Sequence, residues 1–562
     1  MLNPQSHFSA ETIRWFQHAF YKPTAVQEQA WPAISTGAHT LLSAPTGTGK
    51  TLAAFLVFID RLYTMAENGS LQSELYLIYV SPLKSLAADI RENLRRPLLG
   101  IQQETRATSG LDDPLSPVIQ TAVRTGDTPV RERRAMVKRP PHILITTPES
   151  LYLLLTSQSG KNILKTARWI IVDELHAMID SKRGAHLMLS LARLDKLCPQ
   201  PLQRVGLSAS IAPLDVAAAY LSPDPVRIVA PAMQKKKELT VHMPAPLSGT
   251  PQKDPVWQAI AVAVLAHCSD TRSVIAFVEG RAHAEKLAYL VNQIVGEGYA
   301  WTHHGSLAKE QRLNVENALR QGKLRLLCAT SSMELGIDVG DIDKVFQIGC
   351  PHTLSSTLQR LGRAGHNPGR VSMMRFFPRT ALEALFCALT AAAVQQGTIE
   401  TCHPPNLCLD VLAQHLVSMA CGASYQLDEV MPLLQRAYPF RAVTRDDVHA
   451  VLCMLAGDFE HARDKPARPR LLYDRINGFI QGDAYSRMLA VSAGGTIPDK
   501  GLYAVKTENG VRLGELDEAY VFEARIGDRF MLGSFAWRIK AIGKDHVVVT
   551  PSAPGGARPP FW

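Results

Sequence analysis

Three short runs in this chain combine residue types that handle phosphate chemistry. The first is Ala44-Pro45-Thr46-Gly47-Thr48-Gly49-Lys50-Thr51, set between an apolar run and a helical pattern. Glycines there let backbone N–H groups turn inward around phosphate oxygens, at the positive end of the following helix. Lys50 supplies charge to the β- and γ-phosphates of a nucleotide, and the Thr51 hydroxyl is placed to bind Mg²⁺. The same letters could spell an ordinary glycine-rich turn, but strand before and helix after is the context a phosphate-binding loop requires. The second run, Asp173-Glu174-Leu175-His176, follows the apolar residues 169–172. A carboxylate at the C-terminal edge of a strand can hold Mg²⁺ while its neighbour polarises an attacking water. Asp173 is therefore the expected metal ligand and Glu174 the expected base. Alone, an acid pair after a strand is usually structural; the phosphate loop upstream gives it the catalytic reading. The third run is Gln359-Arg360-Leu361-Gly362-Arg363-Ala364-Gly365-His366. Polar groups on such a helix can reach across a cleft to the γ-phosphate, where an arginine supplies transition-state charge. A solvated basic helix is the rival reading of this run taken singly.

The elements that must carry these runs are legible as alternation. Apolar runs at 40–44, 75–80, 142–146, 169–172 and 204–207 alternate with amphipathic stretches such as 52–62 and 85–94. Strands alternating with helices imply a parallel sheet covered on both faces. A Pro- and Lys-marked stretch, 222–255, contains two short strand-like pieces and reads as a hinge. The alternation then restarts, with strands at 273–278, 324–329 and 345–348 and a helix from Arg281. After residue 396 the pattern turns helical, for example at 410–419 and 446–455. From about 470 it turns β-rich, with strands expected at 503–507, 520–524, 529–532 and 537–542 and a closing hairpin at 544–549.

Composition sets the frame. The chain has 562 residues, enough for several domains, with 46% hydrophobic and 20% charged residues, which excludes a wholly disordered or fibrous chain. Its net charge of +9 mildly favours an anionic partner. Apolar stretches fall short of the roughly 18 residues a membrane span needs. Residues 1–7 show neither a basic nor an apolar signal region, so a cytoplasmic protein with no membrane partner is expected. Nine scattered cysteines read as reduced core thiols. Cys402-His403 with Cys408 is the only cluster suggesting a metal, and it lacks a second ligand pair at zinc spacing.

Taken in order, Gln27, 44–51, Pro82-Leu83-Lys84, Thr146-Thr147-Pro148-Glu149-Ser150, 173–176, Ser208-Ala209-Ser210, 329–338 and 359–366 resemble a superfamily 2 DExH-box helicase. More narrowly, the chain resembles the Lhr (large helicase-related) family. That resemblance rests on Arg124-Thr125-Gly126-Asp127-Thr128-Pro129, on 148–152, on Ser181-Lys182-Arg183-Gly184-Ala185-His186 and on 330–338. It runs from about residue 8 to the end of the chain. It implies two tandem RecA-like parallel-sheet domains, an ATP-binding one over 1–225 and a helicase C-terminal one over 226–395. A winged-helix domain over 396–470 and a β-rich, barrel-like domain over 471–562 follow. The chain ends at Pro559-Pro560-Phe561-Trp562, where family members usually continue, so either a short member or an absent C-terminal region is expected.

The resemblance also implies roles. Gln27 reads the adenine edge, although a polar helix residue is a fair rival there. Thr46, Gly47, Thr48, Gly49, Lys50 and Thr51 hold ATP, joined from the second domain by Gly336 and Asp338. Lys84, Thr147 and Thr330 grip the phosphate backbone of one nucleic-acid strand, a contact that is sequence-independent and salt-sensitive; each could equally be a structural loop residue. Ser208 and Ser210, with His176, couple nucleotide state to strand binding, and Ser210 keeps the hydroxyl of the threonine more usual there. Among the expected catalytic residues Glu174, Gln359, Arg360 and Arg363, Arg363 is the stronger arginine-finger candidate, because His366 stands where a second arginine is common.

The function so implied is an ATP- and Mg²⁺-dependent motor that moves 3′ to 5′ on single-stranded DNA and opens DNA or RNA–DNA duplexes, with a role in DNA repair. An RNA or RNP remodeller is the alternative, separated from it by contacts to the 2′-OH. A nucleic-acid-binding scaffold with an idle ATPase is a third reading, opposed by the complete set of hydrolysis groups. Protein partners are not legible.

Overall fold

The computed structural model describes residues 7–109, 118–232, 236–245, 254–305, 307, 309–334, 340, 342–365, 371–458, 468–497, 502–532 and 535–553. Two compact units, Met1–Gly495 and Thr496–Trp562, divide the chain.

Within the first unit, seven strands form an all-parallel sheet: β1 (His39–Ser43), β2 (Leu77–Val80), β3 (Thr121–Arg124), β4 (Ile143–Thr146), β5 (Trp169–Val172), β6 (Gln203–Ser208) and β7 (Val226–Val229), in the order β3-β4-β2-β5-β6-β1-β7. Leu-Ile-Tyr-Val in β2, Ile-Leu-Ile-Thr in β4 and Trp-Ile-Ile-Val in β5 are buried throughout, as strands covered by helices on both faces must be. The order matters for chemistry. It sets β5, β6 and β1 side by side, so the segments that leave their C-terminal ends (173–176, 208–210 and 44–51) emerge next to one another. That is the edge where open α/β sheets bind ligands.

A second parallel sheet follows, from β8 (Lys237–Val241), β9 (Val274–Phe277), β10 (Ala300–His303), β11 (Leu326–Ala329), β12 (Lys344–Ile348) and β13 (Ser372–Phe377), ordered β10-β11-β9-β12-β13-β8. The two strand-like pieces expected inside a hinge belong instead to the two sheets. β7 pairs with β1 and β8 with β13, so the first domain runs past residue 225 to Val229. The connection between the domains is correspondingly short.

The winged-helix region carries helices Leu409–Ala420, Leu427–Gln435 and Arg445–Ala456. Its small antiparallel sheet is built from Tyr425–Gln426, Phe479–Gln481 and Leu472–Asp474. The helix Ala484–Ser492 packs on Leu409–Ala420. This region therefore extends beyond the expected boundary at 470, because two of its three strands and its last helix lie after that residue. It shares one continuous buried cluster with the first domain, in which Leu151, Leu155, Leu187 and Leu191 pack with Leu412, Leu416, Leu434 and Phe440. The second α/β domain keeps its own cores, around Phe277, Leu327 and Phe376 and around Ile260, Val274 and Phe346.

The second unit is a five-stranded mixed sheet ordered Arg512–Asp517, Leu502–Thr507, His546–Ser552, Phe535–Ile542, Arg529–Leu532. Val505, Leu516, Phe530, Ile539, Val547 and Val549 form its core. The expected strand at 520–524 is instead a helix, Glu518–Glu523. Tyr520, Val521 and Ala524 turn one side to that core while Phe522 is exposed, a spacing that suits a helical turn better than alternation. No helix of the described residues is long and apolar enough to cross a membrane.

Candidate active site

The phosphate loop leaves β1 and enters the helix Lys50–Glu67. Gly47 and Gly49 take φ of +77° and +82°, a region that side-chain-bearing residues avoid. Lys50 Nζ donates to the loop's own carbonyls, Ala44 O at 2.5 Å and Pro45 O at 2.8 Å, and Thr48 Oγ1 donates to Pro45 O at 2.8 Å. Burial lowers the Lys50 pKa, while the Glu174 and Asp173 carboxylates oppose that shift. Gln27 lies beneath the loop rather than open to it. Its Oε1 accepts from Thr24 N at 2.9 Å in a capping box, and Thr24 Oγ1 donates to Thr48 O at 2.8 Å. A Cβ on Gly49 would meet Gln27 Nε2 at 2.7 Å.

Across from the loop, Asp173 and Glu174 are buried together at the end of β5. Burial first, and then the Glu174 charge, push the Asp173 carboxyl up to about 7. The Tyr79 hydroxyl donates to its Oδ2 and Glu174 N to its Oδ1 at 2.8 Å. Glu174 is also raised by burial and is held back by Lys50 and Arg363. Its backbone is left-handed, φ +48°, a strain of order 1–3 kcal/mol that points the carboxylate into the cleft only while its surroundings hold it. Beside it, His176 Nδ1 accepts from Ala209 N at 3.2 Å and lies 3.2 Å from Ser208 Oγ. Nε2 therefore carries the proton of the neutral ring, and it stands 3.5 Å from Glu174 Oε2. Burial pushes His176 down to about 4, so this is a polar contact of a neutral imidazole rather than an ion pair.

The second domain completes the site. Arg363 lines the same cavity, of about 990 Å³, as Gly47, Lys50, Thr51, Asp173 and Glu174. Its Nη2 donates to Glu334 O at 2.7 Å. Gln359 and Ser210 face each other with Thr46 around a smaller cavity of about 240 Å³. The two domains also approach closely at Gly362, where an added Cβ would stand 2.3 Å from Thr46 Oγ1. Arg360 does not line the nucleotide cavity. It is buried inside the second domain, with Nε donating to Glu334 Oε1 at 2.6 Å, Nη1 to Gln347 Oε1 at 2.5 Å, and its guanidinium 5.1 Å from the Phe277 ring centroid. Gly336 and Asp338 lie outside the described residues.

A second large cavity, of about 1170 Å³, is lined by Lys84, Arg91, Arg95, Thr125 and Arg183 from the first domain and Arg312 from the second. Of the three expected strand-gripping residues, Lys84 alone lines it, half-exposed and paired with Asp127 at 2.9 Å. Thr147 is buried, with Oγ1 3.3 Å from Ser150 Oγ, and Thr330 Oγ1 lies 3.3 Å from Ser332 Oγ. Arg183 was within reach of sequence reasoning, standing in the 181–186 run. It bonds Glu149 at 2.5 and 3.1 Å, and that pair holds it at the cavity wall. Arg312, on a polar helix with no motif, gave no signal.

Family models match for a DEAD/DEAH box helicase at residues 24–218, a helicase conserved C-terminal domain at 257–367 and the winged-helix domain of large helicase-related protein at 392–558. The chain is 42% identical to the Mycobacterium smegmatis helicase Lhr, solved bound to ssDNA and AMP-PNP. The TM-score is 0.82 over 96% of this chain and 68% of that one. It is 39% identical to the Lhr helicase/uracil glycosylase of Escherichia coli K12 over 99% of its length. With the ATP-dependent helicase Lhr-Core of Methanothermobacter thermautotrophicus it shares 36% over 98%. The chain spans 39% of the E. coli protein and 64% of the archaeal one.

Proposed function

This chain belongs to the Lhr family, and from that premise we propose that it is an ATP-dependent helicase motor that moves 3′ to 5′ on single-stranded DNA and opens DNA or RNA–DNA duplexes in DNA repair. One observation carries the ATP-driven motor, while the direction of travel, the duplex opened and the repair role come from the family alone. Lys50, Thr51, Asp173 and Glu174 of one domain and Arg363 of the other line a single cavity, so hydrolysis and domain closure share one site. ATP phosphates take the place of the carbonyls that Lys50 now contacts. The Thr51 hydroxyl and Asp173 carboxylate are hard oxygen donors that fit Mg²⁺, which when bound neutralises phosphate charge. Glu174 accepts the proton of the attacking water, and Arg363 balances charge that grows on the γ-phosphoryl oxygens. Loss of that phosphoryl group removes what draws Arg363 toward the first domain, and the cleft reopens. His176 links Glu174 to the 208–210 segment, whose Ser210 faces Gln359, giving nucleotide state a path to the domain interface.

The test compares duplexes bearing a 3′ or a 5′ single-stranded tail. Unwinding from the 3′ tail alone supports the proposal; unwinding from the 5′ tail alone contradicts its direction of travel.

A further inference from the structure

The helix Val130–Lys138 is only loosely seated on the first domain. Met136 is its one buried side chain, while Val130 and Val137 are 61% and 48% exposed. Arg133 fastens its start, donating from Nε to Thr128 O and from Nη2 to Gly126 O, each at 2.7 Å. At 3.6 residues per turn, Arg131, Arg134 and Lys138 fall within about 60° of arc, on the side away from Met136. All three are exposed, and among the described residues none has a side-chain hydrogen bond or ion pair. Glu132, the helix's one acidic residue, faces the large cavity instead.

Three features say what this row fits. From Arg131 to Lys138 it covers seven residue steps, about 10 Å of helix axis at 1.5 Å per residue. One strand of duplex DNA presents a phosphate about every 3.4 Å along its axis, so the row matches about three consecutive phosphates. The helix has no aromatic side chain, and so lacks the stacking platform that single-strand grooves combine with cations. The loop leading into it, with Thr125, Asp127, Thr128 and Pro129, walls the cavity that holds Lys84, so the row stands on the element next to that cavity.

We infer that Arg131, Arg134 and Lys138 form a docking row for the backbone of duplex nucleic acid flanking the single strand in the cleft. The inference rests on reading that cleft as a strand path.

The test uses the full chain carrying Arg131→Ala, Arg134→Ala and Lys138→Ala together, with two ligands: a short single strand, and the same strand extended by a duplex. The expected result is unchanged basal ATPase, unchanged stimulation by the short strand and weaker binding of the extended ligand. The slope of log affinity against log salt for that ligand should fall by about 3, near 0.9 per lost phosphate contact. Arg131→Lys with Arg134→Lys, Lys138 kept, should retain the slope. An unchanged slope for the extended ligand, as an acidic protein partner on this face would give, overturns the inference and leaves the helicase reading standing. Equal weakening with both ligands overturns the duplex assignment. A wild-type chain that no strand stimulates would fail the helicase reading itself, and this inference with it.

Discussion

Glu174 and Arg363 line one cavity from opposite domains, and each has a neighbour that resembles it in sequence but differs in its surroundings. Glu174→Gln should bind ATP yet lose roughly 10²–10⁴ of turnover, because an amide cannot accept the water's proton. Normal turnover in that variant would refute the assignment. Lys50→Ala should abolish turnover by removing charge at the phosphates. The two arginines separate in a different way. Arg363→Ala should lower kcat by about 10³ with little loss of stability. Arg360→Ala should leave Glu334 buried and unpaired, costing roughly 3–5 kcal/mol, read as a lower Tm. Equal Tm losses in both variants would argue against this division. Spacing alone made the phosphate loop and the acid pair legible. It could not separate Arg360 from Arg363, because the helix ends at Leu361 and the turn after it brings Arg363 to the nucleotide cavity, while Arg360 stays on the Glu334 carboxylate. Nor could it show that Gln27 is engaged beneath the loop by Thr24.

Helices and strands explain why the winged-helix region shares a core with the first domain. Beyond their shared core, Thr156 Oγ1 lies 2.7 Å from Ser418 Oγ, and Arg193 donates to Leu155 O at 3.3 Å and to Ser418 Oγ at 3.0 Å. A disulfide joining Thr156→Cys to Ser418→Cys should therefore leave ATPase and unwinding intact; loss of unwinding on oxidation, restored by reductant, would show that the junction must open. The same junction buries His186 and His415, with ring centroids 4.6 Å apart. Burial, with the Arg193 charge adding, holds His186 down to about 4 and His415 well below its ordinary 6.5; Glu149 opposes the shift at His186 and Arg183 reinforces it. Both rings are neutral in the fold, whereas in the unfolded chain they take up protons below about 6.5. Stability from this pair is thus complete above that value and is lost as pH falls toward 4. A Tm measured from pH 7 down to 4.5 should fall, and more steeply than in a His186→Gln, His415→Gln variant; parallel slopes would remove the histidines from the account. Buried runs such as β2, β4 and β5 were plain in the sequence. The strand β3, Thr-Ala-Val-Arg, was not, because it is only partly buried and carries no apolar run. The helix Glu518–Glu523 was hidden by its aromatic and β-branched residues, which favour strands locally until the core selects one side.

At the scale of the whole chain, two parallel sheets present their cavities on either side of the long helix Lys84–Ser109. Lys84, Arg91 and Arg95 face the cavity read as the strand path, while Asn93, Leu94 and Pro97 face the nucleotide cavity. A shift of that helix on domain closure would be felt at both sites, so strand binding and ATP turnover should depend on each other. The interdomain pair Arg320–Asp89, at 3.0 Å, spans the same helix and is available to register closure. Tandem α/β domains followed by a helical and then a β-rich region were legible from alternation. The merger of the winged-helix region with the first domain was not, since it depends on contacts between residues more than 200 apart. The most direct test of the central claim is the ATP hydrolysis rate without nucleic acid, with single-stranded DNA and with RNA of equal length, each at low and high salt. The account predicts strong stimulation by DNA that fades as salt rises. Stimulation by RNA alone, or by neither, would contradict it.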